Sequence, residues 1–109
     1  MIDTWKKVIN NLFGNNAEMS IVSSENVTIS KFEASNPIDL PAHSHIYEQI
    51  SIVLEGEMII KLGNTTRKMK KDDVCIIPSN VEHSASFIVT PFKSFDIFTP
   101  KRKDFVDKE

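Results

Sequence analysis

The chain has 109 residues, a formal charge of −2 and 40% hydrophobic residues, the proportions of one ordinary soluble domain with a single core. Its 13 Lys and Arg residues are scattered except near the end, which argues against a nucleic-acid surface, where basic side chains gather on one face. No run approaches the ~18 apolar residues of a membrane-spanning helix, and the lone Cys75 allows no internal disulfide. The expectation is therefore a cytoplasmic protein with neither a nucleic-acid nor a membrane partner.

Met1 to Phe13 lacks the long apolar core and small-residue cleavage site of a secretory signal. Within it, Ile2, Trp5, Val8, Ile9, Leu12 and Phe13 recur at helical spacing behind the capping residues Asp3 and Thr4, and Gly14-Asn15-Asn16 stops the pattern. Residues 1–16 are thus expected to form an amphipathic helix that packs on the domain or on a partner subunit. Residues 17–100 read as strands, around 18–23, 26–34, 47–55, 57–62, 65–70, 73–77, 84–89 and 92–98, each short, β-branched or alternating, and bounded by turn residues. Gly56 and Gly63-Asn64 mark expected tight bends between paired strands. Pro37, Pro41, Pro78, Pro91 and Pro100 lie at segment edges, where proline harms a ladder least. Residues 101–109 form a charged tail anchored by Phe105 and Val106. About eight short strands in so small a chain suggest an all-β sandwich, jelly roll or barrel.

The three histidines carry the chemical information. His43 and His45 share a face if they lie in a strand, and Gln49 keeps that parity if the strand continues, with Ile50, Ile52 and Leu54 opposite. His83 follows the Pro78 turn and can enter from a neighbouring strand. Three imidazoles suit a divalent transition metal and leave positions open for water or substrate. A histidine pair in a strand is otherwise plain polar surface.

These residues resemble the cupin superfamily, small double-stranded β-helix or jelly-roll barrels. His43, His45, Gln49 and Gly56 fall at the spacing of the first cupin motif, with Gln49 in place of Glu and Pro37 in place of the leading Gly. Pro78 and His83 match the second motif, where Asp72, Asn80 and Phe87 depart from it. The resemblance implies one metal ion (Ni, Zn, Fe or Mn) held by His43, His45, Gln49 and His83, and a homodimer. With a neutral amide replacing a carboxylate, the loaded site stays near +2 and attracts anions.

Near the end, Asp96 and Phe98 share one strand face by parity, with Phe95 and Ile97 on the other. A carboxylate among aromatics is a poor core choice unless paired or catalytic. If it faces inward it can act as a general acid or base beside the metal, and Arg102 can fold over the barrel mouth to meet a carboxylate. The plain alternative is an edge-strand Asp and a solvated Arg. Asp96, Phe98, Pro100, Arg102, Asp104 and Phe105 follow the ending of the pectin-degradation cupins. That resemblance implies linearisation of a 4,5-unsaturated uronate, with Asp96, Phe98 and Arg102 as the acting residues. An iron-dependent oxygenase and a non-catalytic metabolite-binding module use the same fold and remain alternatives. Tyr47 shares the parity of the ligands. Cys75 and the methionines Met19, Met58 and Met69 are expected in the core.

Overall fold

The structure is a computed structural model, and it describes residues 1–8 and 13–105. All regular structure in these residues is β. Eight strands follow in chain order: β1 (Lys6–Lys7), β2 (Ala17–Ser23), β3 (Thr28–Ala34), β4 (Ile38–His43), β5 (Glu48–Leu62), β6 (Thr65–Met69), β7 (Val74–Ile77) and β8 (His83–Thr99). The alternation that marks a half-buried strand is clearest in β3, where Thr28, Ser30, Phe32 and Ala34 are buried while Ile29, Lys31 and Glu33 between them are more exposed.

All pairings are antiparallel, and β5 and β8 organise them. The first part of β5 pairs with the last part of β8 (Ser51 opposite Asp96), and the last part of β5 with the first part of β8 (Leu62 opposite His83). Each half recruits its own neighbours. On one side the order is β1-β2-β3-β8-β5-β7, and on the other β4-β8-β5-β6. Side chains from both halves meet in the core, where Phe87 lies 4.9 Å from Phe32 and 4.7 Å from Phe92 between ring centroids. Val53, Met58, Ile60, Met69 and Ile77 complete it.

Three expectations need correction. The N-terminal helix is not formed by the described residues of segment 1–16. Lys6 and Lys7 pair with Ile21 and Ser20 instead, Val8 donates its N–H to the Met19 carbonyl at 2.9 Å, and Trp5 stacks on Phe95. A lone helix of this length is marginal in water, whereas the open edge of β2 offers ready backbone partners. Residues 9–12 of the expected helix, and the tail beyond Phe105, lie outside the described residues. Gly56 does not turn a hairpin. It sits inside the continuous β5 at φ +77°, where a Cβ would meet the carbonyl oxygens of Val89 and Pro91 and stand 2.9 Å from the Phe92 Cα. Finally, β4 was not expected. Pro41 within it removes a donor, which an edge strand tolerates at its register shift between Leu40 and His43. No helix among the described residues is long and apolar enough to cross a membrane.

Candidate metal centre and cavity

The ligand wall is assembled from both halves. His43 ends β4 directly opposite His83, the first residue of β8. His45 lies in the 44–47 connection, and Gln49 stands on β5 in the other half. The single continuous strand expected from His43 to Gln49 is thus broken after His43, because the chain crosses there between halves. One nitrogen from each of the three imidazoles nonetheless lies within 4.8 Å of the other two.

The rings are aimed by backbone carbonyls. Nδ1 of His43 meets the Pro41 oxygen at 2.8 Å, Nδ1 of His45 the Tyr47 oxygen at 2.9 Å, and Nδ1 of His83 the Val81 oxygen at 2.9 Å. A carbonyl only accepts, so each Nδ1 carries the proton and each Nε2 presents a lone pair, the tautomer a metal ligand needs. Burial lowers the pKa of His83 and of His45, with the nearby Arg102 charge acting further on His45. Burial thus favours the neutral form of both rings.

Two features of the donor set fit a bound electrophile. The Nε2 of His83 is buried without any hydrogen-bond partner. The Nε2 of His45 faces Oε1 of Gln49 at 3.1 Å, which places two lone pairs against each other. Gln49 cannot readily turn its amide away, since its Nε2 donates to Ser51 Oγ at 2.9 Å and to Asp96 Oδ1 at 3.2 Å. A cation among these acceptors resolves both features. The donor set fits a divalent transition metal, and the three histidines could hold one.

Asp96 faces inward. Its carboxylate accepts from Ser51 and Gln49 on Oδ1, and from Ser94 at 3.1 Å and Ser30 at 3.4 Å on Oδ2. It is packed deep in the wall yet keeps contact with the cavity. Burial raises its pKa, against the pull of the four donors. The three serines were absent from the sequence reading. Ser51 and Ser94 share parity with Gln49 and Asp96 and were findable on that ground. Ser30 comes opposite Asp96 only through the β3–β8 register.

His43, His83, Gln49, Asp96 and the three serines line a cavity of about 320 Å³, together with apolar side chains such as Met19, Phe32, Leu40, Met58 and Phe87. Phe98 and Arg102 also line it. The Arg102 guanidinium lies 4.7 Å from the ring centres of Tyr47 and Phe98 and 4.1 Å from that of Phe105, a strong setting for a planar cation. Its Nε and one Nη grip Asp104, whose pKa the pairing lowers. Tyr47 supports Arg102 and His45 from outside the cavity lining. Cys75 packs half-buried against the core and burial raises its thiol pKa, so it is an inert filler. Met58 and Met69 are buried core residues and Met19 packs against them.

The fold is shared with known proteins. KdgF from Halomonas sp. superposes with a TM-score of 0.79 at 19% identity, over 94% of this chain and 90% of that one. An RmlC-like cupin from Shewanella frigidimarina does so with a TM-score of 0.77 at 23% identity, over 93% and 89%. At these identities the likeness speaks for the fold alone. No curated protein sequence matches. The Cupin domain family description matches residues 34–97, more than half of the chain, from the start of the ligand-bearing strands through Asp96. With its fold, its three converging imidazoles and this match in agreement, the chain belongs to the cupin superfamily.

Proposed function

We propose that this cupin is a metal-dependent enzyme that opens the ring form of a 4,5-unsaturated uronate, a small anionic sugar, to the linear keto acid. The observation that carries the reading is Asp96. It is an inward carboxylate that accepts from the Gln49 amide, whose oxygen stands 3.1 Å from Nε2 of His45, and it shares a cavity with Arg102. The tail pattern from Asp96 to Phe105, which resembles that of the pectin-degradation cupins, supports the same substrate class.

His43, His45, His83 and Gln49 would hold one divalent ion, which when bound supplies Lewis acidity and net positive charge. The chain's own groups supply the rest. The end-on face of Arg102 pairs with the substrate carboxylate, and Phe98 packs beside it. The reaction is an isomerisation. The C1–O5 bond breaks with its electron pair left on O5, C1 loses its hydroxyl proton to become an aldehyde, and C4 gains a proton as C5 becomes a ketone. One proton is taken and one is returned, so a single carboxyl such as Asp96 balances the cycle. The half-buried Cys75, free of any disulfide, suits a reducing cytoplasm.

The test follows loss of the unsaturated-uronate absorbance alongside measured metal content. Asp96→Asn should lower turnover by roughly 10²-fold or more and leave metal content unchanged. Full activity in that variant overturns the mechanism. Oxygen consumption with ferrous iron, absent with zinc or nickel, would replace it with oxygenase chemistry. Tight binding without conversion would leave a metabolite-binding module.

A further inference from the structure

The strand registers order the lining of the cavity into rows. On β8 the alternate residues His83, Ala85 and Phe87 all face it. His43 lies opposite the first of them, Leu40 and Ile60 opposite the second, and Met58 opposite the third. The other half repeats the order. Phe98 and Gln49 form a first row, Ser30, Asp96 and Ser51 a second, and Met19, Phe32 and Ser94 a third. The first rows of the two halves meet, since the His45 ring lies 5.0 Å from that of His83 and 5.9 Å from that of Phe98. The third rows meet as well, where Phe32 packs on Phe87 at 4.9 Å. The cavity therefore changes character along its length. The imidazoles and the Gln49 amide stand at the first rows, with Arg102 on the Phe98 ring. Thioether and aromatic side chains stand at the third. The hydroxyls among the second and third rows, those of Ser30, Ser51 and Ser94, are all turned to Asp96.

We infer that the cavity takes carboxylates with a hydrocarbon tail, the anionic head at the first rows and the tail along Leu40, Ile60, Met58, Phe32 and Phe87. From first row to third is four residues of strand, or ~13 Å, more than a single sugar ring covers. Beyond such a ring lies wall that offers contact and little hydrogen bonding. Water in a space of this kind has too few polar partners to be held well, and apolar guests enter it instead. A volume of about 320 Å³ is at the small end for a ligand pocket, which suits one short tail. Met19 and Met58 add unbranched, adaptable side chains to the wall.

The anionic head rests on the proposed function, in which Arg102 and a bound cation set the charge. The tail rests on the apolar rows alone. It adds a class of ligand that the sugar chemistry does not call for.

Chemical-shift titration of the full chain, at a measured metal content, tests this with acetate, butanoate, hexanoate and 1-hexanol. From butanoate to hexanoate the affinity should rise about fourfold for each methylene. Hexanoate should bind about tenfold more tightly than 1-hexanol, which lacks the charged head. Leu40→Asn, at a half-buried position of the second row, should lower the affinity for hexanoate about tenfold and leave that for acetate as it was. A chain that had merely lost its metal or its fold would lose both. Equal affinities for butanoate and hexanoate in the wild type overturn the inference without recourse to a variant. So does 1-hexanol binding as tightly as hexanoate, or a Leu40→Asn chain that holds hexanoate undiminished. The unsaturated-uronate assay fails or succeeds separately. A chain that does not convert the sugar acid can still show the methylene increment, and one that converts it can lack the increment.

Discussion

The strongest single atom in the structure is the Nε2 of His83. It is buried and without a hydrogen-bond partner, and an unsatisfied buried polar group of this kind costs about 1–3 kcal/mol. A ligand that binds only the folded state removes that cost and adds stability by mass action, about 4 kcal/mol at a thousandfold excess over Kd. The expected outcome is a wild-type melting temperature that falls on treatment with a chelator. His83→Ala should carry little metal and show a melting temperature that the chelator leaves alone. Metal content and thermal scans, each with and without chelator, check both halves. Residue identity alone made His43, His45, His83, Gln49 and Asp96 legible as candidates, because the geometry of imidazole, amide and carboxylate chemistry is written in side-chain type and spacing. Ser30 and Asp104 were not legible in those roles. Ser30 reaches Asp96 across 66 positions of chain, which only a strand register can specify. Asp104 was visible in the tail pattern, but its hold on the Arg102 fork depends on how the chain folds back after Pro100.

At the scale of the element, the decisive features are β5 and β8, each of which serves both halves. Gly56 makes this possible in β5. Its backbone is left-handed and the space where a Cβ would stand is occupied by the backbone of residues 89–92. Gly56→Ala should therefore destabilise the fold by about 2 kcal/mol or more, from backbone strain joined to a collision that no side-chain rotation relieves. A lower urea midpoint with an unchanged slope is the expected reading. The sequence suggests a tight bend between paired strands at Gly56, whereas β5 runs on through it. A local pattern does not distinguish a hairpin bend from a strand that bends and carries on, since the difference lies in which third strand the two pieces share. The same limit explains the N-terminal segment. Ile2, Trp5 and Val8 satisfy a helical period, and two of them satisfy a sheet edge equally well once β2 and Phe95 are in place.

For the whole molecule, the shared strands mean that neither half has a backbone of its own to keep if the other is lost. The core is likewise common, with Phe32 from one half packed on Phe87 from the other. The chain should unfold in one cooperative step, so the transitions followed by near- and far-ultraviolet circular dichroism should coincide in denaturant. Two separate transitions would show that the halves are independent units. The all-β class was readable from strand-length segments and turn residues. The division of the strands into two groups was not, because it rests on pairings between positions dozens of residues apart.

The double membership of β5 and β8 also bears on how the cavity chooses what it admits. Walls of the 320 Å³ space are continuous lengths of the same two strands, tied by ladder hydrogen bonds on each side of the Gly56 bend. Such walls cannot part like hinged jaws to embrace a larger guest. Any guest of that cavity would have to fit its fixed dimensions. The energy that a hinged protein would spend on closing remains available for holding the guest in place.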